Sequence, residues 1–115
     1  MGTPEGKVKT FIDTRMKTWF PAAFKYSPPG LGRFGKNGMP DRLWFIRATS
    51  TVCIPVAIEA KALGEKPTLL QTRTLERLRD LGVLAAVVIG KDEQRMEMIY
   101  NEILRRIRLA NTETA

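Results

Sequence analysis

Three charged residues stand at unusual positions in this sequence, namely Asp41, Glu59 and Lys61. Asp41 follows Pro40 and opens an apolar run, while Glu59 and Lys61 lie at the end of a second apolar run. Placing a carboxylate and an ammonium there is costly unless they pair with each other or bind an ion. Two carboxylates and the carbonyl of Ala60 are oxygen ligands of the kind that Mg²⁺ binds. Lys61 could then orient or deprotonate a water molecule, or neutralise a phosphate.

The two apolar runs predict a pair of β-strands joined by a hairpin. Residues 42–48 and 52–61 are rich in β-branched and aromatic side chains, and a short Thr/Ser break separates them. Because one strand leaves where the other returns, Asp41 and Glu59 are expected at the same end of an antiparallel pair. Side chains alternate along a strand, so Glu59 and Lys61 should share one face.

Each part of this pattern also has an ordinary explanation. A single Glu-x-Lys triplet is more often a surface ion pair than a metal site, and Asp41 alone could be a structural residue. The combination of Gly-x-Pro-Asp, a strand, a turn, a second strand and Glu-x-Lys is much more specific.

With Asp41 and Glu59-Ala60-Lys61, the chain resembles the PD-(D/E)XK nuclease superfamily. Its Gly38-Met39-Pro40-Asp41 segment, with Gln71 on the following helix, is similar to the VRR-NUC family, found in phage, bacterial and eukaryotic repair nucleases. The resemblance extends from Pro4 to about Leu109. It implies a Mg²⁺- or Mn²⁺-dependent DNA endonuclease whose metal is held by Asp41, Glu59 and the Ala60 carbonyl. A larger aliphatic residue is common where Ala60 stands, but that position contributes its carbonyl, so the expectation is unchanged.

Two further residues have an ordinary interpretation beside the one that the resemblance implies. Glu5 lies in the first turn of a helix that Thr3 and Pro4 begin, where a carboxylate favours the helix dipole. The resemblance instead implies that Glu5 is an additional metal ligand, directly or through water. Gln71 lies one turn before Leu75, on the inward face of its helix. It either makes a polar contact to the backbone or supports the catalytic site.

The segment before Asp41 is too rich in glycine and proline for regular structure. It carries basic residues interleaved with aromatic ones, which suits phosphates and splayed bases. The alternative is an ordinary surface loop with an aromatic side chain tucked into the core. Because the loop leads directly into Asp41, we predict DNA contacts from this region, at Lys25, Tyr26, Arg33, Lys36 and Arg42.

Composition narrows the functional classes. The net charge of +7 favours an anionic partner but does not choose between nucleic acid, a membrane surface and an acidic protein. The sequence has no histidine, which excludes histidine-dependent triads, histidine-metal nucleases and Cys/His zinc fingers. No stretch is long and apolar enough to suggest a membrane span or a signal peptide, so we expect a cytoplasmic protein of a bacterium or a phage-infected cell. Cys53 is the only cysteine and is predicted to be a small core residue.

The predicted element order is α-β-β-β-α-β-α in a single domain spanning residues 1–115, with a flexible tail from about residue 110. The fold class is α/β, with a central mixed sheet flanked by helices, as in the PD-(D/E)XK core. The first helix has an apolar stripe, and so has the last. The middle helix should run from Thr68 to about Leu81, with Leu75, Leu78 and Leu81 facing inward. The stripe residues are Val8, Phe11, Ile12, Met16 and Trp19, then Met96, Ile99, Tyr100, Ile103 and Ile107.

The resemblance further implies a homodimer that acts on branched DNA such as four-way (Holliday) junctions, because stand-alone members of the family look like junction resolvases. Large apolar residues of the first helix and of the loop that follows it could build an isologous interface, or could simply fill the core. They are Trp19, Phe20, Phe24, Leu31 and Phe34. The alternatives for function are a non-catalytic DNA-binding module of the same fold and a less selective nuclease of the same superfamily.

Overall fold

The computed structural model describes residues 2–28 and 38–113. The elements follow the predicted order α-β-β-β-α-β-α. They are α1 (Pro4–Trp19), β1 (Phe24–Tyr26), β2 (Arg42–Arg47), β3 (Cys53–Lys61), α2 (Leu69–Asp80), β4 (Leu84–Ile89) and α3 (Glu93–Glu113).

The four strands form one mixed sheet in the order β1-β2-β3-β4. The β1–β2 and β2–β3 pairs are antiparallel, as the short connection between β2 and β3 requires. The β3–β4 pair is parallel, since α2 returns the chain to the end of the sheet at which β3 begins. The predicted fold class, a mixed sheet flanked by helices, is therefore confirmed.

Helices cover both faces of the sheet. Side chains alternate along β3, and this alternation determines which of its residues lie on each face. Val56, Ile58 and Ala60 are buried in the main core with side chains of α1 and α3. Ala57 faces the other way and packs in a smaller cluster with Leu75 of α2 and Ala85. Glu59 and Lys61 alternate onto this second face, as predicted.

The helix starts also follow the sequence signals. Thr3 caps α1, and its side chain accepts a hydrogen bond from the Gly6 amide. Thr68 and Gln71 form a reciprocal capping box at the start of α2. Among the described residues, no helix has the length and apolar character needed to cross a membrane.

Three expectations about individual residues were wrong. Cys53 is exposed, because it opens β3 at the hairpin, beyond the small cluster under α2. Leu81 is 81% exposed, because it is the C-cap of α2 and lies past its last inward turn. The helix α3 continues to Glu113 where we expected a frayed tail, and Asn111 Nδ2 donates a hydrogen bond to the Ala48 carbonyl at 3.0 Å.

Candidate metal centre

Four residues predicted for the site come together at one end of the sheet: Asp41, Glu59, Lys61 and Gln71. We call them the carboxylate cluster. Asp41 Oδ2 accepts a hydrogen bond from the Ala60 amide at 3.0 Å. Glu59 Oε2 accepts from Gln71 Nε2 at 3.1 Å and lies 3.4 Å from Lys61 Nζ. Gln71 thus makes two contacts, since its Oε1 also accepts a hydrogen bond from the Thr68 backbone amide.

Gly38 determines how the chain approaches this cluster. It is buried, with φ of 79°, a left-handed conformation that favours glycine. A Cβ added at Gly38 would lie 2.7 Å from Thr74 Oγ1 and 2.9 Å from the Leu70 carbonyl oxygen. The glycine of Gly-x-Pro-Asp therefore lets the backbone rest against α2 just before Asp41.

We expect Gly38→Ala to lower the free energy of unfolding by about 1–3 kcal/mol, because the methyl group meets backbone and the conformation is strained. Urea unfolding followed by circular dichroism measures this. Gly64→Ala is the matched control, since Gly64 also has positive φ, 90°, but its added Cβ meets nothing within 4 Å. An equal loss in both variants would mean that backbone conformation alone, and not contact with α2, accounts for the effect.

Pro40 explains how the Ala60 carbonyl can remain available. The β2–β3 register pairs Arg42 with Ile58, and its continuation sets Pro40 opposite Ala60. Proline has no N–H to donate to the Ala60 carbonyl, and the Ala60 amide donates to Asp41 instead. The neighbouring carbonyl of Lys61 accepts from the Gly90 amide on the β4 side. Because successive residues of a strand alternate, the Ala60 carbonyl points to the opposite side, toward Asp41.

Glu59 is the most constrained charge in the cluster. Glu59 is 1% exposed, and burial raises the pKa of its carboxyl group to about 7. The nearby charge of Asp41 also raises this pKa, while Lys61 lowers it. Glu59 Oε1 is buried and has no hydrogen-bond partner among the described residues.

A divalent cation fits this donor set. A buried carboxylate oxygen without a partner needs an explanation, and an ion is one of the usual ones. Asp41 stands beside it, and the Ala60 carbonyl turns to the same side. Among residues 2–28 and 38–113, no group of three or more His, Cys, Asp or Glu side chains is placed to hold a metal. The cluster therefore offers two carboxylates, and a Mg²⁺ ion in such a site keeps several waters.

Glu5 is not gathered with the two carboxylates of the cluster. Its Oε2 lies 3.4 Å from Lys9 Nζ, and Lys9 Nζ lies 3.6 Å from Asp41 Oδ1. Lys9 thus stands between Glu5 and Asp41, a role that sequence reasoning missed. The i, i+4 spacing of Glu5 and Lys9 was the available signal, since such pairs meet on a helix surface.

The residues predicted to contact DNA differ in their ion pairs and in their exposure. Asp13 of α1 holds two of them: Lys25 Nζ lies 3.0 Å from its Oδ2, and Arg42 Nε lies 3.0 Å from its Oδ1. Tyr26 is 46% exposed. Arg33 and Lys36 lie outside the described residues. No local pattern predicts that Asp13 pairs with both cations, because Lys25 and Arg42 belong to two different strands.

Two solved structures resemble this chain in fold. One, named "VRR_NUC domain", has a TM-score of 0.61 and 24% identity, and the match covers 86% of this chain and 97% of that one. The other, named "VRR_NUC domain protein", has a TM-score of 0.60 and 20% identity, with 91% of each chain covered. Neither protein-family models nor curated proteins give a match. The fold of this chain is therefore the fold of these VRR-NUC domain structures, as its sequence predicted.

Proposed function

We propose that this protein is a metal-dependent DNA endonuclease of the VRR-NUC type, which hydrolyses phosphodiester bonds. The observation that carries the proposal is Glu59 Oε1, a buried carboxylate oxygen without a partner, next to Asp41 and Lys61. The shared fold of the two VRR-NUC structures supports the same conclusion.

Asp41, Glu59 and the Ala60 carbonyl would hold Mg²⁺ or Mn²⁺. When bound, such an ion activates water and stabilises the charge that develops on the phosphate. Gln71 keeps Glu59 oriented through its hydrogen bond to Oε2. Lys61 brings a buried positive charge to the cluster, where it can orient a water molecule or neutralise a phosphate oxygen. Glu5, which the resemblance makes an additional ligand directly or through water, would act here through water or through Lys9, which lies near both Glu5 and Asp41.

The proposed substrate is branched DNA, with four-way junctions as the preferred form. The net charge of +7 suits a polyanion, and the sequence carries no motif known for reading base edges in a groove. Phosphate contacts should therefore dominate binding. Selectivity would come from the shape of the DNA and not from its sequence.

Cleavage of labelled DNA structures tests the proposal. Four-way junctions, flaps and linear duplexes are incubated with the protein and Mg²⁺, Mn²⁺ or EDTA, beside Asp41→Ala. We expect cleavage only with a divalent ion, fastest on junctions, and none by Asp41→Ala. Binding without cleavage under every condition would favour the alternative, a non-catalytic DNA-binding module. Equal rates on junctions and duplexes would favour a less selective nuclease.

We also propose that the protein is a homodimer, although the structure changes the candidate interface. Trp19 and Phe20 are partly buried, with ring centroids 4.7 and 5.7 Å from that of Tyr100, so they belong to the core. Leu31 and Phe34 lie outside the described residues. Phe24 is 67% exposed and packs beside Phe45, which is 39% exposed.

The two edges of the sheet differ in a way that favours pairing through β1. Carbonyls of β4 are already bonded, since Arg79 Nε donates to Ala85 and Arg95 Nε donates to Val87. Side chains that cap an edge in this way prevent its extension by another strand. The aromatic pair of Phe24 and Phe45 lies at the opposite end of the strand order and would be covered by a second copy.

Light scattering on the eluting protein should give a dimer mass at micromolar concentration. Phe24→Glu with Phe45→Glu should give a monomer, because charge replaces the apolar contact. Leu81→Glu is the control, since Leu81 is 81% exposed at the end of α2. A monomer mass for the wild type, unchanged by junction DNA, would remove the dimer from the proposal.

A further inference from the structure

A cleft of about 520 Å³ opens at the same end of the sheet as the carboxylate cluster. It lies where the parallel strands β3 and β4 end, the end at which α/β sheets commonly bind ligands. Its apolar lining comes from α1, from the end of β4 and from the turn after β3, and two lysines complete it. These residues are Pro4, Val8, Leu63, Ile89, Lys7 and Lys91.

The cleft adjoins the proposed metal centre through the backbone of Lys61. Ile89 pairs with Lys61 in the β3–β4 register, and the Gly90 amide donates to the Lys61 carbonyl at 2.8 Å. Leu63, two residues after Lys61, lies against Gly90, where an added Cβ would be 3.4 Å from its Cδ1. The Lys61 side chain points to the α2 face, so a strand of DNA with one phosphate at Lys61 would reach the cleft with its next nucleotide by crossing the ends of β3 and β4.

The charges around the cleft favour a phosphate. Lys9, Arg15, Lys25 and Arg42 are all held by carboxylates. Lys7 and Lys91, in contrast, form no ion pair with any residue that the structure describes.

Among the described residues, Asp92 is the one carboxylate that lines the cleft. Its Oδ1 accepts from the Arg95 amide at 3.0 Å, which caps α3. The described lining therefore carries two ammonium groups that form no ion pair and one carboxylate that already accepts a hydrogen bond.

Resting on the proposed function, we propose that this cleft holds one unstacked nucleotide of the substrate, next to the bond that is cut. Lys7 and Lys91 would bind its phosphate, and the apolar lining would receive its base. The cleft is within the size range of small-molecule sites. Removing a base from its stack costs energy, and this cost is least where pairing is already interrupted, so a branch point favours it over a continuous duplex. Selectivity for branched DNA would thus arise at this cleft.

A fluorescent base tests the proposal directly. Four-way junctions carry 2-aminopurine at successive positions around the branch, and the wild-type protein binds them with Ca²⁺ in place of Mg²⁺. Because 2-aminopurine brightens when it leaves the stack, we expect a rise of several-fold at one position. Lys7→Ala with Lys91→Ala should abolish the rise and weaken binding roughly tenfold. Leu63→Asp should abolish it with a smaller loss of affinity, and since Leu63 is 85% exposed, the fold should be unaffected.

Lys17→Ala with Arg108→Ala is the matched control. It removes the same charge from the far ends of α1 and α3, and both residues are exposed. This control variant should retain the rise in 2-aminopurine fluorescence. No rise with the wild type, a rise retained without Lys7 and Lys91, or the same loss in the control would overturn the cleft proposal. A rise that depends on Lys7 and Lys91 in a protein that never cleaves DNA would leave the cleft standing and remove the nuclease.

Discussion

Replacing Lys61 with methionine should slow DNA cleavage about 10²- to 10³-fold, the usual loss when one fixed electrostatic group is removed from an active site. The Lys61 side chain is 11% exposed, and its Nζ lies 3.4 Å from Glu59 Oε2. This ammonium is therefore held in place before any substrate arrives, and methionine keeps most of its length without the charge. Single-turnover cleavage of a four-way junction measures the effect.

The same variant separates a catalytic role from a structural one. The positive charge of Lys61 competes with any cation for Glu59, so Lys61→Met should bind Mn²⁺ at least as tightly as the wild type does. Gln71 still donates to Glu59 in the variant, which keeps the carboxylate oriented. Lys66→Met, at an exposed lysine outside the cluster, should change neither property. Loss of Mn²⁺ binding together with cleavage would show that Lys61 holds the site together and does not act on the substrate.

Much of the site was predictable because it follows from local rules. Asp41 and Glu59 meet because an antiparallel hairpin returns to its starting end, and Glu59 and Lys61 share a face because side chains alternate. Gln71 points inward because of its spacing from Leu75 on a helix. None of these steps needs knowledge of how distant elements pack.

The missed features depend on the docking of elements that are far apart in sequence. Lys9 reaches Asp41 only because α1 crosses the sheet at that end, and the apolar stripe of α1 does not specify the crossing. Cys53 looked like a core residue because apolar patterning does not say how much of a strand a helix will cover. Asn111 extends α3 by bonding to the distant Ala48 carbonyl, which no local signal anticipates.

Glu59→Gln should stabilise the metal-free protein at about pH 8 while abolishing its stabilisation by Mn²⁺. The folded protein raises the pKa of Glu59 from 4.5 to about 7, chiefly through burial. The native state therefore binds this proton more tightly than the unfolded chain does. The free energy of unfolding of the metal-free wild type should fall as the pH rises between these two values, in total by on the order of 3 kcal/mol. Glutamine carries no charge to bury, so the variant should lack this dependence.

Urea unfolding in EDTA between about pH 5 and pH 8 checks the prediction, and the difference between variant and wild type isolates Glu59. Glu102 does not interfere, because hydrogen bonds from Arg105 and Arg106 lower its pKa to about 2, below this range. The free energies of unfolding of the two proteins should be nearly equal at about pH 5 and should differ most at about pH 8. Adding Mn²⁺ should raise the free energy of unfolding of the wild type above that of the variant at alkaline pH, since only an ionised Glu59 can bind the ion. Parallel pH profiles for the two proteins, with equal stabilisation by Mn²⁺, would show that ionisation of Glu59 does not destabilise the fold and that Glu59 is not a metal ligand.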